Sequence, residues 1–289
     1  MEGEGKWANP EEFFLAFRCT SVQYAENFLN KGQIKFNTPN SWVKYAFEKG
    51  EGRGDKLEGT IATFRIDDIE HMIELNKKYK YCFDLKRMII DKRVYLKRAR
   101  DMSLLCFCFY VLKQDMFKCP NEEGKHKLTT TIPSSYFKDF MDNLEPCEVE
   151  KLDENDKPAV IIIYNYPEFE KRIVRALMKI GLKREEIIIE RVLYKDLEKF
   201  GRDGWWDFCQ KPPMELAIKD KRFKSQSEAR IIINTDDMKI KNKLKKPIEI
   251  GPLRDIACIS YKYSCEGMSI ELNAELKLSD SINSRKENC

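Results

Sequence analysis

Nine consecutive residues, Leu104-Leu105-Cys106-Phe107-Cys108-Phe109-Tyr110-Val111-Leu112, carry no charged, amide or carboxyl side chain. In an extended chain successive side chains point to opposite faces, so a run that is apolar throughout offers water neither face. It is read as the central strand of a sheet covered on both sides. Ala159 to Tyr164, Ile187-Ile188-Ile189 and Ile231-Ile232-Ile233 are shorter buried strands, the isoleucines stiffened by branching at Cβ. No run approaches the ~20 apolar residues that span a bilayer. The opening Met1-Glu2-Gly3-Glu4-Gly5-Lys6 is acidic and lacks the apolar centre of a secretory signal, so a cytoplasmic chain without a membrane partner is expected.

That location bears on the ten cysteines, which follow no framework of spacings and are read as reduced, mostly small core residues. With only His71 and His126 available, no Cys/His zinc site is expected and no metal ligands are assigned. The 52 lysines and arginines exceed the 48 acidic residues by only four, too little by itself to mark a nucleic-acid binder. Charge is nevertheless uneven. Lys86, Arg87, Lys92, Arg93, Lys97, Arg98 and Arg100 form one basic cluster, and Lys239, Lys241, Lys243, Lys245 and Lys246 another. Such clusters are either solvated faces or phosphate contacts.

Along the chain, Phe13 to Arg18 reads as a strand and Thr20-Ser21-Val22-Gln23 as a capping box. The helix it opens faces Tyr24, Phe28 and Leu29 one way and ends at Gly32. Ile34 to Phe36 is a short strand, and Asn37-Thr38-Pro39-Asn40 a turn. Arg18 therefore ends a strand beside a helix N-terminus, a setting that attracts phosphate or pyrophosphate unless a surface acid pairs with the guanidinium. Ile61 to Phe64 forms a strand, Asp68 caps a short helix, and Tyr79 to Leu96 forms a hairpin around Asp91-Lys92. Residues 119–158, with prolines at 120, 133, 146 and 158, read as a polar excursion. Phe169, Ile173, Leu177 and Ile180 make a helical core stripe closed by Gly181; a strand at Ile187–Tyr194 follows, then a loop carrying Trp205 and Trp206. Ile248 to Leu253, Ala257 to Ser260 and Met268 to Leu272 are further strands. Strands outnumber helices without steady alternation, which gives an α+β fold with a mixed, mainly antiparallel core and flanking helices. A single domain over 1–279 is expected, with a flexible tail at 280–289.

Candidate chemistry gathers at Gln226-Ser227-Glu228-Ala229-Arg230, where a polar approach enters the last isoleucine strand. A period of two puts Gln226, Glu228 and Arg230 on one face. Burying such groups is costly unless they are paired or face a ligand. Either Glu228 is held by Arg230 or a nearby lysine at a solvated strand end, or it is a catalytic carboxylate with helpers. Gly50 to Gly59 is a glycine-rich loop without the Gly-Lys-Ser/Thr of a P-loop or the spacing of a dinucleotide fingerprint. It is either a ligand-covering loop or a mobile surface loop, and it carries Arg53. Arg53 and Arg230 are the candidate substrate contacts. Two other classes use the same residues. In a metal-dependent nuclease, Asp55, Glu58, Glu215 and Asp220 would join Glu228 around Mg²⁺, with Arg230 in the lysine position. In a non-catalytic module binding protein or nucleic acid, Glu228 would be dispensable.

Phe17-Arg18-Cys19-Thr20, Phe28 to Phe36 with Pro39, the block Phe223-x-x-Gln226-x-Glu228-x-Arg230-Ile231, and Ile248-x-Ile250-Gly251-x-Leu253-x-Asp255-Ile256 resemble an uncharacterised bacterial family often encoded beside phage-defence genes. Arg18 with Thr20 and Ser21, and Gln226-Ser227-Glu228, are also similar to ADP-ribosyltransferases. The middle Ser/Thr element is represented by Ser103 alone, with no Ser-Thr-Ser run. The resemblance implies a split sheet holding NAD as substrate, in an effector or toxin of bacterial defence that modifies nucleic acid or protein, with a defence-system partner protein. It implies Glu228 and Gln226 as catalytic, and Arg18, Thr20, Ser21 and Ser103 as NAD contacts. Tyr24, Trp42 or Trp205 would stack on nicotinamide or adenine, or serve the core or a lid.

Overall fold

The apolar runs do form strands, interspersed with helices in no regular rhythm. This computed structural model describes residues 13–68, 85–113, 116, 127–141, 144, 146–197, 213–261 and 267–273. β1 (Phe13–Ser21) leads into helix α1 (Val22–Lys31), β2 (Gln33–Ile34) and helix α2 (Pro39–Lys49). β3 (Thr60–Arg65), β4 (Leu85–Ile90), β5 (Arg93–Arg98), β6 (Leu105–Lys113) and β7 (Lys127–Ile132) follow, then a helix at Ser134–Phe140. β8 (Pro158–Ile163), the helix Tyr166–Ile180, β9 (Ile187–Arg191), β10 (Leu193–Lys195) and β11 (Ile218–Asp220) lead to β12 (Glu228–Ile233). A helix at Met238–Leu244 precedes β13 (Ile248–Glu249), β14 (Ala257–Ser260) and β15 (Met268–Asn273).

Six strands form one sheet in the order β14-β8-β1-β6-β12-β9, each pair antiparallel. The fold is α+β, and the nine-residue apolar run lies inside the sheet as β6. One face, with Ala16, Phe107, Phe109, Val111, Ile231 and Ile233, is covered by Phe28 and Leu29 of α1 and by the stripe Phe169, Ile173 and Leu177. The opposite face packs Phe17, Cys19 and Tyr110 against Ile132, Tyr136 and Phe137. The polar stretch at 119–158 thus contributes Ile132, Tyr136 and Phe137 to this cluster. β3, β5 and β4 form a separate sheet over a second core. Among the described residues no helix is long and apolar enough to cross a membrane.

Local rules account for several boundaries. Gly32 caps α1 at φ 63, and a Cβ there would lie 2.2 Å from the carbonyl oxygen of Gly251. The backbone of 250–253 bonds the end of α1 through Ile250, Gly251 and Leu253, so the two blocks at 28–36 and 248–256 pack as one unit. The expected hairpin appears as β4 and β5, with Asp91 and Lys92 both at positive φ, the signature of a two-residue hairpin turn. Residues 79–84 of that expectation lie outside the described residues, as do the helix after Asp68 and the tail 280–289.

Several expectations change. The strand expected over Ile248–Leu253 is confined to Ile248–Glu249, and that over Ile34–Phe36 moves to Gln33–Ile34. Tyr24 is exposed while Phe28 and Leu29 are buried. The Thr38-Pro39 turn starts helix α2: Thr38 accepts a hydrogen bond from Ser41 N at 3.2 Å and Pro39 occupies the first helical position. The strand expected over Ile187–Tyr194 divides at Val192 into β9 and β10, which join different sheets. The Thr20–Gln23 capping box does not form. Thr20 is still in β1, Ser21 makes no side-chain cap, and the amides of Val22 and Gln23 donate to the carbonyls of Lys157 and Asn155. The amides of Val22 and Gln23 are therefore taken by backbone carbonyls and are not offered to an anion beside Arg18.

Candidate functional site

β1 and β6 pair from Phe13/Lys113 to Phe17/Tyr110, and there the ladder stops. β1 runs on to Ser21 along β8, while β6 reaches back to Leu105 along β12. The strands part, and a cavity of about 270 Å³ opens at the parting. Arg18 lines it from β1, and Gln226, Glu228 and Arg230 line it from the far end of the chain. Asn37 pairs with Cys106 across part of the opening. Arg18 donates from Nη1 to the carbonyl oxygen of Cys108, and its guanidinium lies 4.4 Å from the centre of the Phe107 ring.

An ionic network forms one wall. Arg230, only 1 % exposed, donates from Nε to Glu228 Oε1 at 2.6 Å and from Nη1 and Nη2 to the carboxylate of Glu58. Nη1 also donates to the carbonyl of Leu216, and the guanidinium stacks 5.0 Å from the Trp42 ring centre. Four of its five N–H groups are therefore committed to protein acceptors. Arg230, expected as a substrate contact, lines the cavity with one N–H left outside these bonds. Lys219 from β11 donates to Glu228 Oε2 at 3.2 Å and to Gln226 Oε1 at 2.6 Å. Burial would raise the Glu228 pKa, but the Arg230 guanidinium and Lys219 ammonium outweigh it and hold the carboxylate far below its ordinary range. Glu228 is paired, as one reading required, yet buried and facing a cavity, as the other required.

Gln226 reaches the site by a different route from the strand alternation expected of it. It ends a 3₁₀ segment, and Ser227 follows at φ 35, so β12 begins only at Glu228. This left-handed position is held by Ser227 Oγ donating to Val111 O at 2.8 Å and by Val111 N donating to Ser227 O at 2.9 Å. Gln226 Nε2 donates to Gly52 O at 3.0 Å and Asp139 Oδ2 at 2.8 Å. The glycine-rich loop is thereby pinned, with Gly52, Gly54, Asp55, Leu57 and Glu58 all buried. A Cβ on Gly54 would come within 2.6 Å of Trp42 O and Ala46 N, so the loop lies directly on α2. It is a cavity wall, not a mobile surface loop.

Arg18 and Arg53 form the cationic side. Burial lowers the Arg18 pKa and Arg53 adds to the effect, although a guanidinium so perturbed stays charged. Among the described residues no carboxylate pairs with either, and Arg53 packs on Tyr45, 5.5 Å from its ring centre. Thr20 and Ser21 line a second cavity of about 280 Å³ that shares Arg18, Arg53 and Phe140 with the first; Tyr24 lies in its wall. Ser103 belongs to neither. It is exposed and its Oγ donates to Arg100 O at 2.6 Å, which closes a turn before β6 and removes it from the site. Trp42 is in the first cavity; Trp205, Trp206, His71 and His126 lie outside the described residues.

Lys219 and the ion pair between Glu58 and Arg230 are additions that sequence order does not reveal. The available signal for the first was a lysine that directly follows the apolar run Leu216-Ala217-Ile218. The acids named for Mg²⁺ have other partners: Glu58 holds Arg230, Glu215 accepts from Arg98 Nη1 at 2.9 Å, and Asp220 accepts from Arg222 N at 3.0 Å. Among the described residues no three acidic, cysteine or histidine side chains converge to hold a metal. The basic cluster at 86–100 is partly structural, since Lys97 Nζ donates to Lys56 O at 2.7 Å and Arg100 Nε to Asp236 at 3.0 Å. In comparisons with known proteins, no family model, curated protein or solved structure matches the chain.

Proposed function

We propose that the chain is an NAD-consuming, ADP-ribosyltransferase-like effector or toxin of bacterial anti-phage defence, modifying a nucleic-acid or protein acceptor. The observation that carries this reading is that Arg18 and Glu228 line one cavity where the ladder between β1 and β6 stops. A sheet that parts between its central strands is the feature that supports an ADP-ribosyltransferase-like split sheet. The two adjoining cavities suit the two nucleoside halves of a dinucleotide. Arg18 and Arg53, shared by both, lie where the pyrophosphate would cross, and guanidinium forks match phosphate oxygens. Tyr45 and Phe107 offer aromatic faces in the first cavity.

With the nicotinamide ribose toward Glu228, loss of nicotinamide would develop positive charge on that ribose. A carboxylate already ionised and fixed in a desolvated wall stabilises such charge without reorganising. Its low pKa makes Glu228 a poor proton acceptor, so its role is electrostatic and hydrogen-bonding. Gln226 acts as a positioning residue, fixing Lys219 and the loop at Gly52. Thr20 and Ser21 would contact the half of NAD in the second cavity.

Purified protein incubated with NAD is expected to release nicotinamide, measured by chromatography. Glu228→Gln should lower that rate by about 100-fold or more while circular dichroism reports a retained fold. Absence of both NAD binding and nicotinamide release in the folded wild type would overturn the reading.

A further inference from the structure

The reaction proposed above needs a group that can take a proton, and Glu228 is not suited to it. The other titratable side chains around the cavity are equally constrained. Burial, then Glu228, keeps the Cys108 thiol protonated, and burial pushes the Tyr110 phenol up to about 12. Lys219 stays an ammonium because, although burial and Arg230 oppose the charge, the carboxylates of Glu228, Asp55 and Glu58 together outweigh them. Glu58 is bound by two nitrogens of Arg230.

Asp55 is different. It lines the same cavity, is 1 % exposed, and its Oδ1 accepts from Leu57 N at 2.8 Å. Its Oδ2 is buried and has no hydrogen-bond partner. Nearly all buried carboxylate oxygens find a donor, so an orphan beside a cavity marks a place for a ligand's proton. The charged groups facing Asp55 are Glu58 on its own loop, Lys219 from β11, Arg222 at 3.9 Å from the 3₁₀ segment, and Lys97 from β5. Burial and then Glu58 raise its pKa to about 6 against the pull of Lys219, where a carboxyl exchanges protons readily near neutrality.

We propose that Asp55 is the general base of this cavity, taking the proton of the attacking hydroxyl while Glu228 remains ionised; this rests on the NAD reading above. The hydroxyl oxygen of the acceptor forms a bond to C1′ of the nicotinamide ribose. The C1′–N bond breaks, and its electron pair returns to the pyridinium ring, which leaves as neutral nicotinamide. The hydroxyl proton passes to Asp55 Oδ2 and from there to solvent. One NAD and one hydroxyl compound give one ADP-ribosylated product, one nicotinamide and one proton.

The test uses full-length protein with water as the acceptor and NAD as the probe. Nicotinamide release is followed from pH 5 to 8 for the wild type and Asp55→Asn, with NAD affinity from calorimetry. The wild-type rate is expected to rise through pH ~6 and level off, following the base form of one carboxyl. Asp55→Asn should bind NAD within about threefold of wild type, release nicotinamide about 100-fold more slowly, and lose the rising limb. If Asp55→Asn does not fold, Asp55→Ala takes its place, and added formate or azide should restore its rate. An Asp55→Asn enzyme as fast as wild type or with the same limb, or an Asp55→Ala enzyme that small bases do not rescue, overturns the role of Asp55 and leaves the NAD reading standing. A folded wild type that neither binds NAD nor releases nicotinamide overturns both.

Discussion

Arg230 is held by Glu58, Glu228 and the Leu216 carbonyl, and each depends on it for charge or hydrogen bonding. Replacing one member of a buried ion cluster strands its partners in a low-dielectric site. Arg230→Met is therefore expected to cost about 3–5 kcal/mol in urea unfolding, and adding Glu58→Gln should return part of the loss. Asp55 gives a prediction of opposite kind. Its carboxyl binds a proton more tightly folded than unfolded, so its contribution to stability is full at low pH. That contribution is lost as pH rises from the ordinary 3.8 through about 6. Relative to wild type, Asp55→Asn should gain stability over that window, by up to about 3 kcal/mol in denaturant curves at a series of pH values. A difference independent of pH would contradict it. The Glu228–Arg230 pair was legible because residues two apart on a strand share a face. Asp55 and Glu58 were grouped with Glu228 only as metal ligands; Lys219 and the Glu58–Arg230 pair were not legible, because tertiary packing decides them.

At the scale of elements, rules confined to a few residues were readable. The Asp91-Lys92 hairpin, the stripe Phe169-Ile173-Leu177 and the Gly32 cap each depend on backbone within one or two turns. Thr38-Pro39 was equally local and marked α2, though the same residues also spell a turn. The Thr20–Gln23 box failed because distant carbonyls at 155–157 claimed the amides it would have served. Alternation through Gln226 failed at Ser227, whose left-handed backbone resets the face of everything before it. Gly32 supplies the element-level test. Gly32→Ala should cost more than the ~1–2 kcal/mol of a left-handed alanine alone, because its Cβ would also meet the Gly251 carbonyl at 2.2 Å. Equilibrium unfolding of the purified variant measures it.

For the whole molecule, the strand order β14-β8-β1-β6-β12-β9 draws neighbours from across the chain, so apolar runs announced strands without announcing their partners. The α+β class followed from counting elements; the parting between β1 and β6 did not. On the NAD reading proposed above, NAD at ~100 times its Kd should stabilise the protein by about 2.7 kcal/mol, seen as a rise in Tm. Arg18→Ala and Arg53→Ala should each diminish the rise, and a Tm indifferent to NAD would deny the cavity that occupant.

The cluster around Arg230 has a consequence for how this protein can fail. Its members come from the loop at 55–58, from Leu216, from Lys219 and from β12, so the wall of the cavity exists only when distant segments have assembled. The isosteric changes at Glu228 and Asp55 keep the shape of the wall, whereas loss of Arg230 itself, which joins these segments, would undo the wall and the fold together. Function and folding should vanish in a single cooperative step, leaving no partly unfolded species competent to act.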